Sequence, residues 1–319
     1  MIMGDIQRTS KRRQLGFWIC GLILVQTFWF QPVLAQNAPH SQAGTAGAAF
    51  LKFGVGARAT GLGGAYTAVS DDANSMYWNP AGLSRFNGTQ LSLMHNRWVQ
   101  DINYEFVGIA FGDSGAAGFA FGLTFLWMGD ITVTTFNDRL GTTGNTFTAR
   151  DLSFVFSYGQ QINDYVSVGG TLKRIKSTID DISANATAVD LGLLTSLPIQ
   201  GVTLGATIQN LGNRLKFIQD SDRLPLIYKF GVAYSQPNRL TLAVDLSKPI
   251  DNRFRVNAGG EFVLMKTLAL RGGYNSSNEL DNGFTGGAGV RIRSISIDYA
   301  FVPFGVLGNT HRVSAMFQF

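Results

Sequence analysis

What most limits the folds open to this chain is alternation. From about residue 89 onward, segment after segment places bulky apolar residues at every second position. In the clearest case Ala117, Phe119, Phe121, Leu123, Phe125 and Trp127 share one parity, while Ala116, Gly118, Ala120, Gly122 and Thr124 share the other. Successive side chains of a strand point to opposite faces, so such a segment has one greasy face and one small one. Leu152, Phe154, Phe156 and Tyr158 repeat the pattern, as do Val202 to Ile208 and Leu240 to Leu246. The apolar faces are rich in aromatics and the segments run near ten residues, longer than the strands of a soluble sandwich and suited to crossing a bilayer at a tilt. Fourteen such segments are readable, and the connections between them alternate short and long, as periplasmic turns and extracellular loops do. The expected fold is all-β: a 14-stranded antiparallel transmembrane β-barrel over residues 89–319.

The first residues read differently. Lys11, Arg12 and Arg13 precede an apolar run from Leu15 to Phe30, and Val33-Leu34-Ala35 offers a cleavage site, so residues 1–35 read as a signal peptide. The interruptions at Gly16, Gln26 and Thr27 and the lack of stop-transfer charges argue against a membrane anchor. The single cysteine, Cys20, lies in this leader, and the bulky Phe17-Trp18-Ile19 before it does not suit a lipoprotein signal. The leader also holds four of the 26 basic residues and one of the 21 acidic ones. The remaining chain is nearly neutral and presents no clustered basic surface for nucleic acid.

Between leader and barrel, residues 36–88 read as a plug for the lumen, since fourteen strands enclose more space than their own side chains fill. Its core is GVGARATGLGGAYTAVSDDANSMYWNPAGLSRF, Gly54 to Phe86. Glycines there, including Gly63 and Gly64, permit close backbone approach. Asp71 and Asp72 are expected to open a short helix over Ala73 to Trp78, with carboxylates toward its free N–H groups. Pro80 excludes the α conformation at Asn79, so the chain turns at Asn79-Pro80-Ala81-Gly82.

The run GARATGLGGAYTAVSDDANSMYWNPAGL resembles the N-terminal hallmark of the PorV/PorQ family of outer-membrane proteins, themselves similar to the FadL family of hydrophobic-solute transporters. The Asn-Pro-Ala turn after paired aspartates is common to both. The Trp78-Asn79-Pro80 form with Gly63, Gly64 and Ala65 ahead of it is closer to PorV/PorQ. That resemblance implies a bacterial outer-membrane accessory of type IX secretion, receiving secreted proteins with C-terminal sorting domains or serving surface attachment proteins. The alternative it implies is a FadL-like diffusion channel for long-chain fatty acids or other hydrophobic solutes, with a plug that moves and a sideways exit. The expected surroundings are outer-membrane lipid and the barrel assembly machinery. Alternating apolar residues ending in Phe317 and Phe319 resemble the C-terminal signal that machinery reads.

Other constellations carry little. Gly54-x-Gly56-x-x-Ala59 matches a loose dinucleotide fingerprint, but the βαβ setting it needs is missing. His40, His95 and His311 are far apart, without a carboxylate at ligand spacing. The expectation is a non-enzyme with no metal and no cofactor. Asp190, Asp245, Glu261, Arg271, Arg291 and Asp298 fall on the parity opposite the bulky residues, hence inward. An Arg facing lipid near the midplane would cost about 2–4 kcal/mol. They are expected to pair with one another and with Arg58, Asp71 and Asp72 of the plug. On the loop side, Phe217, Ile218, Phe301, Phe304, Val306 and Leu307 are apolar where a solvated loop would be polar, and are expected to form a face for a partner or a greasy ligand.

Overall fold

The computed structural model describes residues 41–278 and 282–319; the expected leader and the first residues of the expected plug lie outside these. Fourteen long strands form a closed barrel. They are β1 (Gly88–Arg97), β2 (Asn103–Asp113), β3 (Ala117–Trp127), β4 (Ala149–Gln161), β5 (Val166–Ile179), β6 (Ile182–Ser196) and β7 (Val202–Gly212). The second half comprises β8 (Ile227–Gln236), β9 (Leu240–Pro249), β10 (Arg255–Leu264), β11 (Leu268–Asn275), β12 (Phe284–Ile292), β13 (Ile295–Pro303) and β14 (Asn309–Gln318). Each strand pairs antiparallel with its chain neighbours, and β14 closes on β1 with Leu91 opposite Phe317 and His95 opposite Val313. No helix of the described residues is long and apolar enough to cross a membrane.

The alternation sorts as the period demands. Phe119, Phe121, Phe154, Phe156, Leu172, Leu191, Phe230 and Leu242 are exposed on the outer wall. Ala110, Ala120, Ser153, Ser157 and Thr171 are buried on the inner one. The hydrophobic core therefore lies between wall and plug: Val55, Leu62, Tyr66, Met76, Trp78 and Leu83 of the plug pack against Met94, Tyr104, Phe106 and Ile175 of the strands.

Two local expectations need correction. The alternation of short and long connections is not strict, because β5 and β6 run on through 178–186 into a tight hairpin at Asp180 (φ 55°) and Asp181. The plug helix is a single turn, Ser75–Trp78, followed after Asn79 by a 3₁₀ turn, Pro80–Arg85. Asp72 alone of the pair serves that entry, its Oδ1 accepting the Asn74 N–H at 2.9 Å. Several wall glycines mark where the plug lies on the wall. A Cβ at Gly159, Gly169 or Gly192 would run into Pro80 or Asn79, and one at Gly205 or Gly259 into Thr67 or Leu62.

Candidate functional site: a plug between two vestibules

The plug is fixed by its sharpest turn. Asn79 Oδ1 accepts from the Ala81 N–H at 3.2 Å and caps the 3₁₀ turn, where Pro80 at the first position loses no needed donor. Its Nδ2 donates to the carbonyls of Thr67 (2.8 Å) and of Leu193 on β6 (3.0 Å), so one buried side chain ties the turn to the plug and to the wall. Trp78 donates from Nε1 to the Val55 carbonyl at 2.9 Å. Gly54 is bare because a Cβ there would stand 2.5 Å from the Trp78 ring. Gly63 (φ 67°) and Gly64 (φ 80°) turn the chain beneath β10 and β11, and the Gly63 carbonyl accepts from Asn257 Nδ2 at 2.5 Å.

On the short-turn side a line of alternating charges runs from plug to wall. Arg58 Nη1 meets Asp71 at 2.6 Å and Tyr66 Oη at 2.9 Å, with Asp72 at 3.6 Å. Its Nε and Nη2 both reach the Glu261 carboxylate of β10 at 3.1 Å. Glu261 then holds Arg271 of β11 at 2.6 Å, and Arg271 holds Asp298 of β13 at 2.6 Å. Six of these residues are among those expected to pair across the lumen; Tyr66, which also donates to Asp72 at 2.7 Å, is the partner sequence reasoning missed. Burial pushes the Asp72 carboxyl up to about 6; Asp71 adds to the rise while Arg58 and the bonds from Tyr66 and the Asn74 N–H oppose it. Arg291 stands apart, exposed, bonding Ser296 at 3.3 Å. Asp245 accepts the N–H groups of Tyr66 (3.0 Å) and Thr67 (2.9 Å). Asp190 pairs with Lys173 at 2.7 Å and takes the Asn210 N–H at the one register shift recorded in the barrel ladders, between β6 and β7. Lys173, Lys229 and Arg312 were also missed, although counting by two from Thr171, Gly231 and Ser314 puts them on the inner parity.

Two cavities flank the plug and share no lining residue. The one on the short-turn side, about 530 Å³, is floored by Arg58, Asp71 and Asp72 and ringed by the turns at Gln236–Arg239, Lys266–Thr267 and Arg293–Ser294. The one on the long-loop side, about 330 Å³, is bounded by Trp78, Gly63 and Gly64 below and by Phe53, Trp98 and Phe304 above. Trp98 packs between the other two rings, 4.1 Å from Phe53 and 5.8 Å from Phe304 by centroids.

The six apolar loop residues do not form one face. Phe304 turns in to Trp98 and lines the outer cavity. Phe217 packs against the buried cluster, and Phe301 lies 5.6 Å from the His311 ring. Ile218, Val306 and Leu307 are exposed, on two different loops. At the other end, Phe319 exchanges backbone bonds with Thr89 (2.8 and 3.2 Å), and Phe317 is half-buried beside them. His95 bonds Glu105 of the neighbouring strand at 2.7 Å, a cross-strand pairing that spacing along the chain did not reveal. Among the described residues no group of His, Cys, Asp or Glu is arranged to hold a metal ion.

In comparisons with known proteins, a family model described as an uncharacterised protein family, UPF0164, matches residues 30–188. No curated protein matches the sequence. Among solved structures, the CymD monoaromatic hydrocarbon channel aligns with TM-score 0.63 at 14% identity, covering 83% of this chain and 98% of that one. The Pseudomonas putida toluene transporter TodX aligns with TM-score 0.59 at 13% identity, covering 82% and 96%. The Ralstonia pickettii toluene transporter TbuX aligns with TM-score 0.57 at 15% identity, covering 83% and 98%. The chain is thus an outer-membrane β-barrel that shares the fold of these channels, a closed barrel of 14 antiparallel strands with short turns at one end and longer loops at the other. The comparisons reach the FadL side of the sequence resemblance; the PorV/PorQ branch is not shown by them.

Proposed function

We propose that this protein is a plugged diffusion channel for hydrophobic solutes across the outer membrane. The observation that carries the reading is the pair of cavities on opposite faces of one plug, the outer one walled by Phe53, Trp98, Phe304 and Trp78. An aromatic-lined recess open to the loop side is where an apolar solute gains by leaving water. The plug then separates it from the periplasmic cavity, and passage requires the plug to shift. The same architecture in proteins named as monoaromatic hydrocarbon channels and toluene transporters supports this reading.

Part of the plug's hold on the wall is polar and therefore adjustable. Beside the apolar packing of plug on wall, Arg58 and Glu261, Asn79 and Leu193, and Asp245 with Tyr66 and Thr67 are directional contacts. Loosening a few of them opens a path without disturbing the ladders of the barrel. The type IX role suggested by the plug motif gains nothing from the comparisons, and Phe217 and Phe304, two of the anchors it would use, face inward. The test is uptake of radiolabelled toluene by porin-depleted cells: expression of this protein should raise the initial rate several-fold. A rate equal to that of empty cells would overturn the reading.

A further inference from the structure

The outer vestibule carries more positive charge than a passage for neutral hydrocarbons needs. Its lining holds Lys52, Lys229, Arg255 and Arg312 against a single carboxylate, Asp245. Lys52 is paired with Asp251. Asp245 takes the N–H groups of Tyr66 and Thr67 on Oδ2, its Oδ1 being buried without a hydrogen-bond partner, and makes no ion pair among the described residues. Lys229 and Arg312 have no carboxylate within ion-pair distance among the described residues. The charge line on the periplasmic side shows what this sequence does elsewhere with an inward Arg: Arg58 and Arg271 each meet two or more acids.

Both cations stand around one aromatic. Lys229 Nζ lies 4.8 Å from the centre of the Trp78 ring. Arg312 donates from Nη1 to the carbonyl of Gly54, whose Cα lies against that same ring, and to Thr60 Oγ1, each at 2.5 Å. Those bonds use only Nη1. Arg312 Nε is buried and has no hydrogen-bond partner, although a buried N–H of a charged group ordinarily has one. The Nε edge of a guanidinium is a side on which a carboxylate sits with two parallel bonds. Above it stand the rings of Phe53, Trp98 and Phe304, about the right surroundings for a flat apolar body. At about 330 Å³ the cavity is at the small end of ligand pockets, roughly 300–1,000 Å³.

From this geometry we infer that the outer vestibule is a binding site for a small aromatic carboxylate, its anionic group held by Arg312 and Lys229 and its ring by the aromatic wall. This deepens the channel reading and rests on it for the statement that the occupant is cargo. Neutral hydrocarbons would use the rings alone and leave Arg312 Nε without a partner.

Benzoate and its uncharged analogue benzyl alcohol separate the alternatives. Titrated into the purified full-length barrel and followed by tryptophan fluorescence and calorimetry, benzoate should bind at least tenfold more tightly than benzyl alcohol, and acetate should compete poorly. Arg312→Gln and Lys229→Met, each checked for the heat-modifiable migration of a folded barrel, should each weaken benzoate by about tenfold and benzyl alcohol little. Equal affinity for benzoate and benzyl alcohol would overturn the inference. So would benzoate binding unchanged in both variants, or acetate competing as well as benzoate. Toluene uptake by the unaltered protein is measured in parallel: uptake without selective benzoate binding sinks this inference and leaves the channel, whereas benzoate binding without any uptake sinks the channel reading and leaves a site.

Discussion

Arg58 meets Glu261 as a two-pronged pair, Nε to Oε2 and Nη2 to Oε1, both at 3.1 Å. One residue belongs to the plug and the other to strand β10, so this fork joins the two parts of the protein. Removing one partner of a mostly buried pair costs about 3–5 kcal/mol, since the other is left uncompensated. Arg58→Ala also leaves Asp71 and Asp72 without their cation, while Glu261 keeps Arg271. Single-channel recordings should show frequent openings in this variant where the unaltered protein is silent. Arg58→Lys should recover only part of the closure, because an ammonium does not make the fork.

The glycines supply a matched pair of substitutions. A Cβ at Gly273 would fall on Gly63 N and Leu62 C of the plug, while one at Gly272, the next residue, meets nothing within 4 Å. Gly273→Ala should displace the plug and raise conductance and protease sensitivity near Leu62. Gly272→Ala, on the lipid side, should behave as the unaltered protein in both assays.

Asn79 holds the exit turn by three bonds, to Ala81 N–H and to the carbonyls of Thr67 and Leu193. Loss of a helix cap alone costs about 1–2 kcal/mol. Asn79→Ala is expected to lower the temperature at which plug residues become protease-accessible by several degrees, with far-ultraviolet dichroism of the barrel unchanged.

Asp72 sets a pH dependence. Its carboxyl sits at about 6 in the folded plug, whereas an unperturbed Asp titrates near 3.9. A raised native value means that folding favours the protonated form. The contribution is therefore whole below about pH 4 and is lost as pH rises through about 6. The facing groups are Arg58, Tyr66 and Asp71. Open probability should rise between about pH 4 and 6, and Asp72→Asn should flatten that rise.

Sequence parity alone located the wall. Period two separates Phe119 and Phe121 from Gly118 and Ala120 without knowledge of any neighbour, so strand number, sidedness and inward acids were all legible. Contacts across the lumen were not. Glu261 and Arg58 are 203 residues apart, and nothing in either segment says that the plug passes β10. The seats at Gly159, Gly205 and Gly259 were invisible for the same reason: a glycine on a strand looks alike whether it relieves curvature or admits a backbone. Lys173 and Arg312 were overlooked because each lies beside other basic or polar residues, where an inward charge does not stand out as Asp245 does among Val244 and Leu246. Phe304 read as an exposed anchor because its inward packing depends on Trp98, some two hundred positions earlier in the chain.

Solute passage through a plugged barrel is open to one decisive comparison. In the source bacterium with this gene deleted, initial uptake of a labelled hydrophobic solute is measured together with the amount of secreted protein at the cell surface. The account expects uptake to fall several-fold, to return with the unaltered gene, and surface protein to stay constant. Normal uptake with secreted proteins retained inside the cell would contradict it.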